Sequence, residues 1–477
     1  MGSARAVALV PEVEEEVVAA MRTEAGGPAG RSRAGGGGPA GGGASRAAVT
    51  RRLAAALGVA GLLAGMTAAT AGTASAATMG TVSGATTAAG TASAATNGSA
   101  PIAVAGLASA GTARTAPTAV VSLGDSYISG EGGRWQGNAS PWLPTGDVWG
   151  TDRASYNCTP DFNSCDHDPE RVYGKSYVNG CDRSDTAEIL TARIPADHRI
   201  NLACSGATTA DVLRAVDGGQ WFKGEAPQAD QLAAVARQYA VKLVVVSIGG
   251  NDLGFASVLE RCAEGYLEPW PFAAPCEPKE EPVFATALAA AAPKVRAALA
   301  SVRRAMASAG YRDADYRLVL QSYPSPLPAG GDYRYPQDGY TRYLTGGCPF
   351  FNSDSSWARN SVVPRIAGML QAAASAERAD FLDLRGAFSG HEVCSTADRQ
   401  AGAENTLVRP VSPLTAEWVR FVSTTQGRLQ ESLHPNAYGQ LAFGDCLGKL
   451  WAAGPGSFGC FNTAGRSPVA MVLTRLH

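Results

Sequence analysis

Short apolar runs alternate with helical patterns along most of the chain after Thr118. The strand-sized runs are 119–123, 199–203, 243–248, 317–320 and 381–384. Because polar residues do not alternate with apolar ones in them, they are predicted to be parallel strands buried on both faces. Helical spacing of apolar residues at Val295, Leu299, Val302 and Met306 predicts a helix there, and segments 207–216, 228–239 and 360–378 are also predicted helices. The pattern predicts an α/β fold, a three-layer α/β/α sandwich around a mostly parallel central sheet.

Changes in amino-acid composition divide the chain into segments. A charge-poor run that ends in a small-x-small cleavage pattern indicates a signal peptide, and an uncleaved membrane anchor is the alternative. The residues after it are nearly all Ala, Thr, Gly and Ser, which is typical of a flexible linker. The predicted segments are a low-complexity extension over 1–50, the signal peptide over 51–76, the linker over 77–117, the folded domain over 118–462 and a C-terminal tail over 463–477.

Charge and cysteine content narrow the class of protein. Forty Lys and Arg stand against 42 Asp and Glu, a net charge of -2, and the absence of a basic block excludes nucleic acid as a partner. The ten cysteines form close sequential couples without zinc-like spacing, so disulfides formed in an oxidising compartment are expected. We therefore expect a secreted, extracellular monomer without stable membrane association, or a protein on the outer face of the cell membrane if the signal is not cleaved.

Candidate catalytic residues lie directly after the first three predicted strands, at the edge of the sheet where α/β proteins bind ligands. Ser126, in Gly-Asp-Ser, lies where a following helix points its N–H groups at the hydroxyl, although a helix N-cap serine would look the same. Gly206 lets a backbone N–H approach a substrate oxygen, and the Asn251 amide can donate to an oxyanion. Neighbouring Asp125 and Asp252 are assigned to turn structure, not to catalysis.

His434 is the candidate general base among only five histidines. It precedes a helix that is predicted to begin near Ala437, and Glu431 stands three residues before it. The Glu431 carboxylate is the favoured partner for the imidazole N–H. The main-chain carbonyl of Glu431, with its side chain in solvent, is the alternative.

The segments that contain Ser126, Gly206, Asn251 and His434, in this order, resemble the four blocks of the SGNH (GDSL-type) hydrolase family. The resemblance covers about residues 118–460. The surroundings of the first three blocks are similar to the secreted actinobacterial branch that includes the potato-scab suberin esterase and extracellular lipases. Most family members have aspartate where this chain has Glu431, and that branch uses a main-chain carbonyl there.

The resemblance implies a flavodoxin-like SGNH fold and a carboxylic ester hydrolase, an esterase or lipase, that works through an acyl-enzyme. Ser126 would be the nucleophile and His434 the base, and the oxyanion hole would consist of the N–H groups of Ser126 and Gly206 and the Asn251 side chain. No metal or other cofactor is needed, and the expected substrate is a small-molecule or polymer ester. An acyltransferase on the same site and a non-catalytic glycan-binding envelope protein are the alternatives.

The resemblance also implies three disulfides, Cys181–Cys204, Cys262–Cys276 and Cys348–Cys394. The remaining couples, Cys158–Cys165 and Cys446–Cys460, are close enough in sequence to be local staples.

Two features of one insertion, residues 132–179, stay open. Its aromatic side chains would either cover the cleft over Ser126 or form the core of the insertion itself. These aromatics are Trp135, Trp142, Trp149, Tyr156, Phe162 and Tyr173. A solvated loop is favoured over a calcium site for Asp161, Asp166 and Asp168, whose spacing matches no EF-hand.

Overall fold

The computed structural model describes residues 116–141, 148–160 and 164–476. The predicted extension, signal peptide and nearly all of the linker lie outside the described residues. The strands are β1 Thr118–Gly124, β2 Ser155–Tyr156, β3 Asp166–His167, β4 His198–Asn201, β5 Ala240–Ser247, β6 Arg317–Gln321, β7 Asp380–Asp383, β8 Ser457–Phe461 and β9 Val472–Arg475. The α-helices are α1 Ser126–Ser129, α2 Glu170–Tyr173, α3 Ser176–Asn179, α4 Glu188–Thr191, α5 Thr209–Val212, α6 Gln228–Ala236, α7 Phe255–Leu267, α8 Glu277–Ser308, α9 Thr341–Leu344, α10 Asn352–Trp357, α11 Val363–Ala376 and α12 Ala437–Ala453.

Seven of these strands form one sheet in the order β4-β1-β5-β6-β7-β8-β9, and β2 pairs separately with β3. All neighbours in the large sheet are parallel except β8 and β9, which are antiparallel. The strand order reverses its direction at β1, as in flavodoxin-like sheets. The predicted mostly parallel α/β/α fold is confirmed, and each of the five predicted strands is present.

Apolar packing explains the layers. Strand β5 is buried over most of its length, as expected of a strand that is covered on both faces. Helix α8 packs against α5, α6 and α11 on the sheet, whereas α12 packs against α4. The residues of α8 at helical spacing, Val295, Leu299, Val302 and Met306, are fully buried. Within the described residues, α8 is also the one helix long and apolar enough to cross a membrane by length and composition.

Some element boundaries differ from the predicted ones. The segment predicted as one helix over 207–216 contains only α5, because the chain is extended at Leu213, followed by a 3-10 turn over Ala215–Asp217. Helix α6 ends at Ala236 rather than near 239. A π-helical turn, Ala358–Val362, precedes α11. The prediction of a C-terminal tail over 463–477 is corrected by the structure. This segment contains strand β9, which pairs with β8 in the sheet, so the domain does not end at 462.

Five disulfides join the couples named from the sequence, Cys158–Cys165, Cys181–Cys204, Cys262–Cys276, Cys348–Cys394 and Cys446–Cys460. The described residues contain no free cysteine. Cys181–Cys204 fixes the loop after β4, and Cys446–Cys460 ties α12 to β8. Disulfides thus cross-link loops of the fold. Cys181–Cys204 fixes a loop at the edge of the sheet where β1 ends.

Candidate active site

Ser126 begins helix α1 directly after strand β1. The chain turns at Gly124, where φ is 136° and a Cβ atom would lie 1.9 Å from the carbonyl oxygen of Ser247, so the position requires glycine. Asp125 caps the helix, because its carboxylate accepts a hydrogen bond of 3.2 Å from the Tyr127 N–H. This turn places the Ser126 side chain at the carboxyl edge of the sheet.

His434 contacts Ser126 from the loop before α12. Its Nε2 atom lies 2.7 Å from Oγ of Ser126, and its Nδ1 atom lies 3.0 Å from the carbonyl oxygen of Ser432. When Nδ1–H donates to that carbonyl, Nε2 carries the lone pair that can accept the Ser126 proton. Burial lowers the pKa of His434 to about 4. The imidazole is therefore neutral at neutral pH and can act as a base.

The structure corrects the predicted role of Glu431. Its carboxylate does not contact His434, and it accepts hydrogen bonds from Trp135 Nε1 at 3.0 Å, from the Tyr173 hydroxyl at 2.9 Å and from the Arg428 N–H at 3.0 Å. The Glu431 side chain is buried rather than solvent-exposed. The carbonyl that holds the imidazole belongs to the next residue, because the 3-10 turn Leu429–Glu431 directs the Glu431 side chain toward the aromatic residues.

Replacing Glu431 with glutamine is expected to leave kcat within about threefold of the wild-type value, because the Ser432 carbonyl still orients His434. The variant should lose about 1–3 kcal/mol of unfolding free energy, because Trp135 and Tyr173 donate to different oxygens of the carboxylate and glutamine keeps only one of these acceptors. Steady-state kinetics and thermal unfolding measure the two effects. As a control, a matched change of the buried Glu188, which accepts from the Gln321 amide, to glutamine should leave kcat unchanged. A loss in kcat of about 10⁴-fold would restore the carboxylate as the orienter.

Gly206 and Asn251 come from the loops after β4 and β5. Gly206 has a φ of 79°, in the left-handed region that favours glycine. The Asn251 Nδ2 group donates a 2.9 Å hydrogen bond to the Ala207 carbonyl oxygen, which joins the two loops. Ser126, Gly206, Asn251 and His434 all line one cleft. The structure therefore brings the four predicted block residues together.

The two aspartates beside these residues make structural contacts, Asp125 with its own helix and with Tyr323, and Asp252 with the start of α5. Asp125 caps α1 and accepts a hydrogen bond from the Tyr323 hydroxyl, and burial raises its pKa to about 7. Asp252 accepts hydrogen bonds from the Thr209 N–H at 2.9 Å and the Thr209 hydroxyl at 2.7 Å. The bond of Asp125 to the Tyr127 N–H is the local kind expected in a tight turn, whereas Asp252 joins the loop after β5 to the start of α5.

The cleft has a volume of about 390 Å³ and is lined by both polar and apolar residues, which we call its polar wall and its apolar wall. One wall is polar and includes Glu131, Ser205, Lys223 and Gln430. The other is apolar and consists of Phe255, Leu259, Phe350, Val422, Leu429 and Leu433. An apolar wall beside a serine is suited to the acyl chain of an ester.

None of the described aromatic residues of the 132–179 insertion lines this cleft. Trp135 is fully buried and Tyr173 is nearly so, and both donate to Glu431. Tyr173 also packs with Ala154 and Val172 in a small separate core. Trp142 and Phe162 lie outside the described residues. The insertion thus uses Trp135 and Tyr173 for its own packing, and the cleft takes its apolar residues from α7, from the loop before α10 and from the segment between β7 and α12.

Glu131 and Lys223 are charged residues of the cleft that sequence reasoning missed. Glu131 is 1% exposed, and its Oε2 accepts a 2.7 Å hydrogen bond from the Ser205 hydroxyl. The Lys223 ammonium donates to the carbonyl oxygens of Gly180 and Ser205. A glutamate five residues after the serine, in Gly-Glu-Gly, was the only available signal for Glu131, and it has no specificity by itself.

The remaining acidic residues make local contacts. Asp166 accepts a 3.2 Å hydrogen bond from the Asn157 amide, and Asp168 caps the turn before α2 through the Glu170 N–H. Asp161 lies outside the described residues. Asp354, beside Cys262 and Cys276, accepts from the N–H groups of Cys276 and Glu277, and both sulfurs belong to a disulfide.

The fold and the site together define a class. It is an α/β/α protein with a hydrogen-bonded serine and histidine at the carboxyl edge of a flavodoxin-like sheet, where the strand order reverses. A family model described as the GDSL-like lipase/acylhydrolase family matches residues 172–442, more than half of the chain. The chain belongs to this family, and it is a hydrolase of the lipase and esterase type. The matched range includes Gly206, Asn251 and His434, and Ser126 precedes it.

Several solved structures are similar to the chain. The extracellular lipase from Streptomyces rimosus is 22% identical with a TM-score of 0.37, and the alignment covers 68% of this chain and 94% of that one. The phospholipase A1 from Streptomyces albidoflavus NA297 is 19% identical with a TM-score of 0.35, covering 68% and 95%. A carbohydrate acetylesterase from Sinorhizobium meliloti is 13% identical with a TM-score of 0.23, covering 61% and 94%. A search of curated proteins gave no match.

Proposed function

We propose that the chain hydrolyses carboxylic esters through a covalent acyl-enzyme on Ser126. The observation that carries the proposal is the contact of 2.7 Å between Ser126 Oγ and His434 Nε2, together with the hydrogen bond between His434 Nδ1 and the Ser432 carbonyl oxygen. A serine hydroxyl is a weak nucleophile until a positioned base takes its proton. The contact supplies that base without a metal or organic cofactor.

The reaction would proceed in two halves. Ser126 Oγ bonds to the ester carbonyl carbon as its proton moves to His434 Nε2, and the alcohol leaves as the C–O bond breaks and the proton passes to its oxygen. Water, deprotonated by the same imidazole, then attacks the acyl carbon. The acid leaves, and Ser126 regains its proton.

Three donors are proposed to hold the negative charge that forms on the carbonyl oxygen. They are the N–H groups of Ser126 and Gly206 and the amide of Asn251. None of the described residues accepts a hydrogen bond from either N–H group, and Asn251 keeps one amide hydrogen beyond its bond to Ala207. Preorganised donors of this kind stabilise the tetrahedral intermediate more than the substrate.

The acyl part of the ester is proposed to lie on the apolar wall of the cleft and the alcohol part near the polar wall. Each methylene that is buried contributes about 0.8 kcal/mol. We therefore expect kcat/KM to rise with acyl length until the wall is covered. Secretion is proposed as well, supported by the five disulfides of the described chain.

The proposal is tested with p-nitrophenyl esters of increasing acyl length and with a serine-reactive fluorophosphonate. We expect hydrolysis of several members of the series, and a single stoichiometric label that tandem mass spectrometry places on Ser126. Enzyme that has been labelled should be inactive. A label on another serine, or a folded protein that cleaves none of the esters, would contradict the proposal.

A further inference from the structure

Glu131 is a buried acid beside His434. It follows helix α1 and begins the 3-10 turn Glu131–Arg134. Its Oε2 atom lies 3.4 Å from His434 Nε2, on the side where Nε2 meets Ser126. The same oxygen accepts the hydrogen bond from Ser205, the residue before Gly206. The carboxyl group therefore contacts both the base and the loop proposed to hold the oxyanion.

No other carboxylate of the described residues lies within 4.0 Å of a His434 ring nitrogen. The Nδ1 atom faces a neutral carbonyl, that of Ser432. When His434 takes the Ser126 proton, its new positive charge forms in a buried site that otherwise disfavours it. A carboxylate at the position of Glu131 can balance this charge.

We propose that ionised Glu131 is a positioning residue that stabilises the His434 imidazolium, and that the reaction slows when Glu131 is protonated. This inference rests on the proposed function. The Ser126 proton moves to Nε2 and then to the leaving oxygen. Glu131 keeps its negative charge throughout and exchanges no proton with the substrate. It takes the place, on the opposite ring nitrogen, of the carboxylate that most members of the family have beside the histidine.

Protonated Glu131 would act in the opposite sense. It carries no charge to balance the imidazolium. Its O–H also becomes a donor 3.4 Å from Nε2, where it competes with the Ser126 hydroxyl for the single lone pair of the base. Both effects lower the fraction of enzyme that is ready to react.

The surroundings of Glu131 place its ionisation near neutrality. Burial raises its pKa to about 7. The Ser205 hydroxyl, the Lys223 ammonium and the Gln430 side chain lower this pKa, whereas the Glu431 carboxylate raises it. The other titratable and charged groups that interact with Glu131 or its immediate partners are Asp125, Tyr127, Tyr173, Asp182, Arg428 and His434. Because the active form is the ionised one, activity should increase as pH rises through about 7.

The experiment compares kcat/KM of wild-type protein and Glu131→Gln for p-nitrophenyl acetate across a pH range centred on neutrality. Glutamine keeps an oxygen for Ser205 but has no charge. An opposite charge at this distance typically shifts a pKa by about 1–3 units. The wild-type value should therefore rise about tenfold or more between about pH 6 and pH 8, while the variant stays flat. The two should converge below about pH 6.

Two further variants separate this role from a structural one. Ser205→Ala removes a group that lowers the Glu131 pKa, so the rising limb should persist and move to higher pH. Glu131→Asp keeps an ionisable group and should keep a limb, which covers the case in which the glutamine variant does not fold. Thermal unfolding shows which variants are folded.

Three outcomes would overturn the inference. The rise of kcat/KM with pH could remain unchanged in Glu131→Gln, which would assign the titration to another acid such as Asp125. The rate could drop by one factor at every pH, which indicates a purely structural role. It could also fall as pH rises, which means that the carboxylate repels the oxyanion. Failure of the proposed function is distinct, since either the wild-type protein would then cleave none of the esters or Ser126→Ala would keep the activity.

Discussion

Replacing Ser126 with alanine is expected to lower kcat for ester hydrolysis by about 10⁴-fold or more, because no acyl-enzyme can form. The change removes one hydroxyl whose hydrogen bond is to His434, so the fold should be retained. The KM should change little, because the walls of the cleft remain. Progress curves with p-nitrophenyl butyrate and a thermal unfolding curve measure the rate and the stability.

The matched control is Ser129→Ala. Ser129 lies three residues further along α1, and its hydroxyl donates to the carbonyl oxygens of Ser126 and Asp182 rather than into the cleft. It should keep most of its activity and lose about 1 kcal/mol of stability. A Ser126→Ala protein that retains more than about one hundredth of the wild-type rate would show that another group is the nucleophile.

The parts of the fold that the sequence predicts are those with local signals. Runs such as 243–248 are continuous and rich in valine, which is typical of strands covered by helices on both faces. Ser126, Gly206 and Asn251 each follow such a run. In a parallel sheet the ends of neighbouring strands meet at one edge. Strand order was therefore not needed to predict that these three residues converge.

The parts that could not be predicted depend on contacts between distant segments. Strand β9 is short and lies at the edge of the sheet, where only β8 pairs with it, so its apolar pattern is weak. The direction of the Glu431 side chain is set by Trp135 and Tyr173, nearly 300 and more than 250 residues earlier in the chain. Glu131 becomes part of the site only because Ser205 and His434 fold against it.

These long-range contacts also explain why the base is held by a carbonyl. The buried Arg420 guanidinium, whose pKa is lowered to about 9 by burial and raised in part by Glu431, stacks on the Trp135 ring at 3.5 Å. The Glu431 carboxylate belongs to this cluster, where it interacts with the Arg420 cation and accepts hydrogen bonds from three neutral donors. The histidine loop is consequently left with main-chain oxygens as partners for Nδ1, and the charge that approaches Nε2 comes from Glu131.

Replacing His434 with alanine is expected to lower kcat by about as much as the Ser126 change, about 10⁴-fold or more. The two side chains act as one unit, since the serine needs the base to lose its proton. The double variant should therefore be no slower than either single variant. Added imidazole should restore part of the rate in His434→Ala, because the ring can enter the space that the side chain leaves.

The control for this prediction is His198→Ala, which removes an exposed histidine at the start of β4 and should be fully active. Rate effects that multiply in the double variant would mean that Ser126 and His434 serve different steps, and the contact of 2.7 Å between them would then be structural. Rescue by imidazole should require Ser126, so none is expected in the double variant. That dependence would distinguish a base that acts on the serine from a base that activates water directly. The geometry of the cleft does not favour direct activation of water, because Nε2 already accepts a hydrogen bond from Ser126 Oγ.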